Sequence, residues 1–256
     1  MFKRQLVNYS GIIQELKYGD LELANLNQKY IAIPATATFF SQGLVAPTVI
    51  GTATVRTLDT VSIAGRSFRV GIVSATVAAS ISSQYFTNAN YVIGNGTGLG
   101  GFTFFQRFIN SDPAAVAGVR QFIGMSSSIA APTNVEPSTL LNSFGLAQLS
   151  TDSTQWYIVF GGTTAQAVIP LGTALGSPNT TNILWELSLY ASPLNANIIY
   201  KVINVGTGIT VTGTLAGTSA VVLPVGTLYL APRTWRCNNA TALAVAYDFS
   251  SLIIEL

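Results

Sequence analysis

The stretch Gly100–Met125, GGFTFFQRFINSDPAAVAGVRQFIGM, constrains the fold more than any other part of the sequence. Two apolar runs, Phe102–Ile109 and Val119–Met125, flank an Asp-Pro segment that reads as a turn or loop. In the first run Phe102, Phe104 and Phe108 share one pleat face, while Thr103, Phe105, Arg107 and Ile109 share the other. Apolar side chains on both faces place the two strands in the middle of a sandwich, away from a wet edge.

The remainder repeats this strand grammar. Thr48–Thr57, Val61–Ile63, Ser67–Ser74 and Val77–Tyr85 are rich in β-branched residues and lead into a glycine-rich loop, Thr87–Gly101. Ser126–Ser143 is a long polar connection holding Pro132 and Pro137, of the kind that is functional or lies on the surface. Phe144–Leu149, Gln155–Phe160 and Ala165–Leu171 follow as strands. Ile183–Tyr190 alternates most cleanly, with Trp185, Leu187 and Leu189 opposed to Glu186, Ser188 and Tyr190, which predicts a sheet with one solvated side. With Asn197–Asn204 and Ile209–Leu215 it reads as a meander. Val221–Val225, Thr227–Ala231 and Ala240–Leu256 complete the expected strands. In the last of these, Leu243, Val245, Tyr247 and Phe249 share a face, and Leu252, Ile254 and Leu256 form a second ladder. The fold class this implies is all-β, an antiparallel β-sandwich or jelly roll.

Residues 1–30 differ in holding more charge. Ile12, Ile13 and Leu16 suggest a short helical face confined by Gly11 and Gly19. Such a piece is marginal alone. We therefore expect residues 1–30 to be an anchor that packs on a partner chain through Tyr9, Ile12, Ile13, Leu16 and Tyr18, and residues 31–256 to be the β-sandwich head.

Composition narrows the function. Hydrophobic residues make up 49% and charged residues 9%, against about a quarter charged in ordinary soluble domains. Yet the charge-free stretches Gly71–Gln106 and Val202–Pro232 are laced with Gly, Ser, Thr and Asn, so no membrane helix is expected. A net charge of +2, spread thinly, gives no nucleic-acid footprint. Lys3 and Arg4 precede no apolar run, so no cleavable signal is expected. There is no histidine, which removes the commonest general base and metal ligand; with the single Cys237, no catalytic residue, metal or cofactor is expected. Gly94–Gly101 lacks the Lys and Ser/Thr of a phosphate loop. A glycosidase needs two carboxylates at one cleft, and no spacing brings Asp152 and Glu186 together. Asp112 and Asp152 read as turn residues. Sugar binding asks only for an aromatic plate and amide or hydroxyl partners. Loops Asn88–Gly101, Ser126–Asn142 and Arg233–Asn239 could supply these, with Tyr91, Asn95, Trp235, Arg236 and Asn238 as the candidate binding residues and Trp235 expected in an exposed loop.

The order of several motifs resembles the head domains of tailed-bacteriophage tail fibres and related virion appendage proteins, which have a concanavalin-like jelly roll. The Gly-Gly-aromatic strand leads to an R-x-F-x-G-x-S strand, Arg120–Ser126. The aromatic strand Trp185–Tyr190 and the Y-x-V-x-N-x-x-T-G strand Tyr200–Gly208 follow, and YSGIIQELKYGD, Tyr9–Asp20, is similar to segments that precede such heads. The resemblance implies a structural virion protein assembled in the host cytoplasm. It further implies a homotrimer, joined to other virion proteins through residues 1–30, whose head contacts a host-surface glycan. A carbohydrate-binding adhesin is the alternative, and an enzyme acting on surface glycans is disfavoured by the scarcity of acids.

Overall fold

The computed structural model describes residues 4–9, 12–17, 29–34, 39–42, 46–164 and 166–256. In chain order the strands are β1 (Arg4–Tyr9), β2 (Ile12–Lys17), β3 (Lys29–Pro34), β4 (Phe39–Gln42), β5 (Thr48–Ile50), β6 (Thr52–Val55), β7 (Val70–Val73), β8 (Ile81–Tyr85) and β9 (Phe102–Asn110). They continue as β10 (Arg120–Ser126), β11 (Ser143–Leu149), β12 (Asp152–Gly161), β13 (Gln166–Pro170), β14 (Leu184–Ala191), β15 (Asn197–Asn204), β16 (Thr210–Ala216), β17 (Ala231–Cys237) and β18 (Ala246–Glu255).

Two antiparallel sheets form a sandwich. A seven-stranded sheet runs β13-β12-β11-β10-β17-β8-β5, and a nine-stranded one runs β16-β15-β14-β9-β18-β3-β4, with β7 pairing β18 and β6 pairing β7. The Phe-rich strand β9 sits between β14 and β18, and β10 sits between β11 and β17. Both are central, one in each sheet, so residues 111–119 cross from one layer to the other. The core between the layers gathers Phe104, Phe108, Trp156 and Trp185; the two indoles meet edge-on at 5.5 Å and 74°. The expected meander is present as β14-β15-β16, with Trp185, Leu187 and Leu189 buried and Tyr190 exposed.

Two local details follow from sequence. In β18 the residues of the apolar core change from odd (Tyr247, Phe249) to even (Leu252, Ile254) because the register against β9 shifts between Phe249 and Ser251. A bulge places both ladders on the core face. At Gly51, with φ of +103°, the chain leaves the seven-stranded sheet (β5) and enters the nine-stranded one (β6). A side chain there is strained, and a Cβ would lie 2.6 Å from the Val73 carbonyl oxygen.

Four expectations are corrected. Residues 12–17 form a strand instead of a helical face: β1 and β2 pair as a hairpin from Arg4↔Lys17 to Tyr9↔Ile12. Six cross-strand pairs between segments carrying β-branched Val7, Ile12 and Ile13 outweigh a helix too short to nucleate. Tyr9, Ile12, Ile13 and Leu16 thus lie on the hairpin, while Tyr18 lies outside the described residues. Val61–Ile63 is a turn, closed by the Val61 amide on the Asp59 carboxylate at 2.9 Å. Val221–Val225 and Thr227–Leu230 are irregular, since Pro224 lacks a ladder donor and Gly226 favours a turn. Trp235, Arg236 and the preceding residues belong to a strand, β17, and not to a loop.

Candidate functional site at the loop end of the sandwich

The register brings the connecting loops to one end of the molecule. Ser126 pairs with Ala231, and the neighbouring Leu230 exchanges backbone hydrogen bonds with Tyr91. Phe102 pairs with Ala191, and Asn197 with Ala216. Segments 86–101, 127–142, 192–196 and 217–230 therefore gather around the start of β17. Loop 86–101 is pressed close against segment 192–193: a Cβ on Gly94 would lie 1.8 Å from the Ser192 carbonyl oxygen. Only glycine permits that approach.

Two clefts open at this end. The first, about 500 Å³, is lined by Asn95, Ala196, Asn197, Gly217, Val225 and Thr227, among others, and by no charged residue. Asn95 is exposed, and its Oδ1 accepts from the Thr97 amide at 2.9 Å, the Thr97 hydroxyl at 2.8 Å and the Leu99 amide at 3.2 Å. Its carbonyl thus shapes the loop, and its amide nitrogen bonds no described residue. Exposed Leu194, Val225 and Tyr229 stand around this opening in sequence.

The second cleft, about 420 Å³, lies between the seven-stranded sheet and loop 127–142, with Arg233 and Trp235 of β17 facing Ser126, Ser128, Thr133 and Thr139. The loop runs along the outer face of the sheet. Its base is tied by the Ser127 amide to the Asn142 carbonyl at 3.0 Å, and its far end by Arg120 to Glu136 at 2.7 Å and to Asn134 at 2.6 Å. Val135 and Leu140 from the loop pack on Phe122, Ala147, Val159, Trp235 and Cys237, a second small core on the outside of the sheet.

That cover explains where the sequence-predicted residues lie. Trp235 is 1% exposed, so its ring offers no open stacking plate, although its edge lines the second cleft. Arg236 points the other way, between the sheets: its Nε donates to Asp112 at 2.9 Å, and its Nη1 donates to Gln121 at 2.6 Å and Gln148 at 2.8 Å. Asn238 is buried and saturated, accepting from the Ser80 amide at 2.9 Å and donating to the Val77 and Leu243 carbonyls at 2.8 Å each. Both side chains are committed to contacts within the fold: Arg236 on the inward pleat of β17, and Asn238 just past its end. Tyr91 is buried, its ring 5.8 Å from that of Phe102 and tilted at 59° to it. Of the five, Asn95 alone is exposed. The signal that sequence reading missed was Arg233, which shares the outer pleat with Trp235.

Burial pushes the Tyr91 phenol up from its usual 10 to about 12. A folded-state value above the unfolded one contributes stability that is complete below pH 10 and lost as pH rises from 10 towards 12. Tyr91→Phe is expected to remove that part of the alkaline loss, read as a smaller fall in the urea midpoint between pH 9 and 11 than in the wild type. Cys237 is buried, and desolvation raises its thiol.

The carboxylates are committed elsewhere. Asp112 pairs with Arg236, Glu136 with Arg120, Glu186 with Arg107, and Asp248 with both Arg56 and Arg69. Asp152 accepts from Thr154, Gln155 and Tyr157, and those hydrogen bonds hold its pKa well below the usual carboxylate range. Among the described residues no three of His, Cys, Asp and Glu come together to hold a metal, and no helix is long and apolar enough to cross a membrane.

No family model and no curated protein matches the sequence. Solved structures match the fold. A protein of unknown function from Shewanella oneidensis MR-1 is 12% identical with a TM-score of 0.52, over 92% of this chain and 91% of its own. Arcelin-5, a lectin-like defense protein from Phaseolus vulgaris, is 8% identical with a TM-score of 0.53, over 90% and 99%. The winged bean acidic lectin, solved with methyl-α-D-galactose, is 10% identical with a TM-score of 0.54, over 89% and 97%. The sandwich is of the lectin-like, concanavalin-type jelly-roll class.

Proposed function

We propose that this chain is a carbohydrate-binding domain whose ligand sits among the loops at the β17 end of the sandwich. The observation that carries the reading is the chemistry of the two clefts there. The first is lined by amides, a hydroxyl and apolar groups, the second by hydroxyls and apolar groups together with Arg233 and Trp235, and no carboxylate lines either. A concave surface with a few placed polar groups suits a hydroxyl-rich ligand, while the missing acid pair favours binding without hydrolysis. The lectins among the fold's likenesses agree with this reading. A glycan array should show binding to a restricted set of saccharides, and Asn197→Ala in the first cleft should weaken it about tenfold. An array on which no saccharide binds overturns the proposal.

The setting we propose is a non-enzymatic subunit of a virion appendage, homotrimeric and anchored by residues 1–30, using the head for host attachment. It rests on the sequence resemblance. It is favoured by one observation: among the described strands, β1 and β2 pair with each other and join neither sheet. The mass of the purified protein in solution tests the trimer.

A further inference from the structure

Among the described residues, the buried and half-buried arginines are neutralised almost without exception, while exposed Arg66 donates to the Thr60 carbonyl. Arg69 and Arg236, both buried, are paired with Asp248 and Asp112; half-buried Arg56, Arg107 and Arg120 are paired with Asp248, Glu186 and Glu136. Even at the smaller cleft of about 260 Å³ beside Ser67, Phe68 and Ser251, Arg107 is spent on Glu186, 2.6 Å from its Nε. Arg233 is the exception. It is 5% exposed and has no carboxylate partner among the described residues.

A guanidinium has five N–H donors. Arg233 uses Nη2 on the Ala130 carbonyl of the covering loop, and its Nε is buried without an acceptor. An uncompensated buried charge is costly, and a structure retains one where something supplies the missing partner. Desolvation lowers this guanidinium to about 10, so it is still a cation at neutral pH. Its position is fixed by register: on β17 it stands opposite Tyr85 on one side and Gly124 on the other, and Gly124 in turn faces Gly145. On the β10 side, then, neither β10 nor β11 beyond it carries a side chain at that level, whereas β8 presents Tyr85. The cleft it lines offers Ser126, Ser127, Ser128, Thr133 and Thr139, and no acid. Hydroxyl donors around a bare, planar guanidinium match a carboxylate or sulfate, which accepts paired N–H bonds.

We propose that Arg233 is the floor of an oxyanion site beneath loop 127–142, and that the saccharide bound by this domain carries a carboxylate or sulfate group. The ligand class rests on the carbohydrate-binding reading; the oxyanion site rests on Arg233 alone.

Sodium sulfate and sodium chloride at matched ionic strength separate the two. In the full chain sulfate should raise the melting temperature beyond chloride, and Arg233→Met, while remaining folded by circular dichroism, should reduce the difference to the general effect of an excluded salt. Arg233→Lys, which keeps the charge without the planar fork, should retain part of the excess. On an array pairing neutral saccharides with their uronic and sulfated forms, the acidic member should be preferred by about tenfold or more, the ratio that one charge-assisted hydrogen bond commands. Should sulfate act equally on wild type and Arg233→Met, the site is refuted. Acidic and neutral saccharides bound equally well would refute the ligand class and leave the carbohydrate reading standing. A sulfate effect larger in the wild type than in Arg233→Met, with no saccharide bound, would support the oxyanion site and overturn the saccharide.

Discussion

Asp112→Asn is expected to destabilise the protein by about 3–5 kcal/mol, the cost of leaving a buried charge without its partner. The side chain of Arg236 is wholly buried, and Asp112 supplies the only carboxylate paired with it among the described residues. Gln121 and Gln148 accept from the same guanidinium but bring no charge. Asn at this position can still accept the Ala246 amide now held by Asp112 at 2.7 Å, so the loss isolates the ion pair from that backbone bond. Adding Arg236→Met to Asp112→Asn should recover much of the loss, since removing both charges of a buried pair is often close to neutral. Urea unfolding measures both, and an Asp112→Asn midpoint equal to the wild type's would show that the network contributes nothing.

Trp185→Ala should cost a similar amount, about 3–5 kcal/mol, through the cavity it opens between the layers. Its indole is fully buried, edge-on to Trp156, which in turn meets Phe108 at 5.8 Å and 86°. Gly176 lies against the same ring, where a Cβ would sit 3.2 Å from the indole, so the packing is close on that side too. Trp156→Ala and Trp185→Ala together should destabilise by less than the sum of the single changes. The shortfall is expected to be about 0.5–1.5 kcal/mol, the worth of an aromatic pair beyond its burial. Full additivity would mean that the indoles do not interact as the geometry requires.

The layers of this sandwich were legible in the sequence because pleat periodicity reports burial directly. Phe102, Phe104 and Phe108, and Trp185, Leu187 and Leu189, all lie in the core that their spacing indicates. The switch of face along β18 was visible too, as two ladders of opposite parity. What the pattern could not report was cover on the outer face. Arg233, Trp235 and Cys237 alternate with Thr234 and Arg236, and a strand with arginines on both pleats reads as exposed. Loop 127–142 buries one pleat and Asp112 neutralises the other, and both effects come from residues distant in sequence. The same reason hid the site. Asn95 was legible as an exposed loop amide, whereas an arginine without a counter-ion is a property of three-dimensional neighbours. Residues 12–17 were misread because Ile12, Ile13 and Leu16 fall at helical spacing, and only pairing with Arg4–Tyr9 makes the segment a strand.

Backbone amide NMR during titration with a saccharide identified on the array tests the central claim most directly. Binding at the β17 end of the sandwich predicts shift changes concentrated in residues 86–101, 127–142, 192–197 and 217–233, with the outer face of β14, β15 and β16 unmoved. Shifts concentrated on that outer face instead, with the loop end silent, would contradict it.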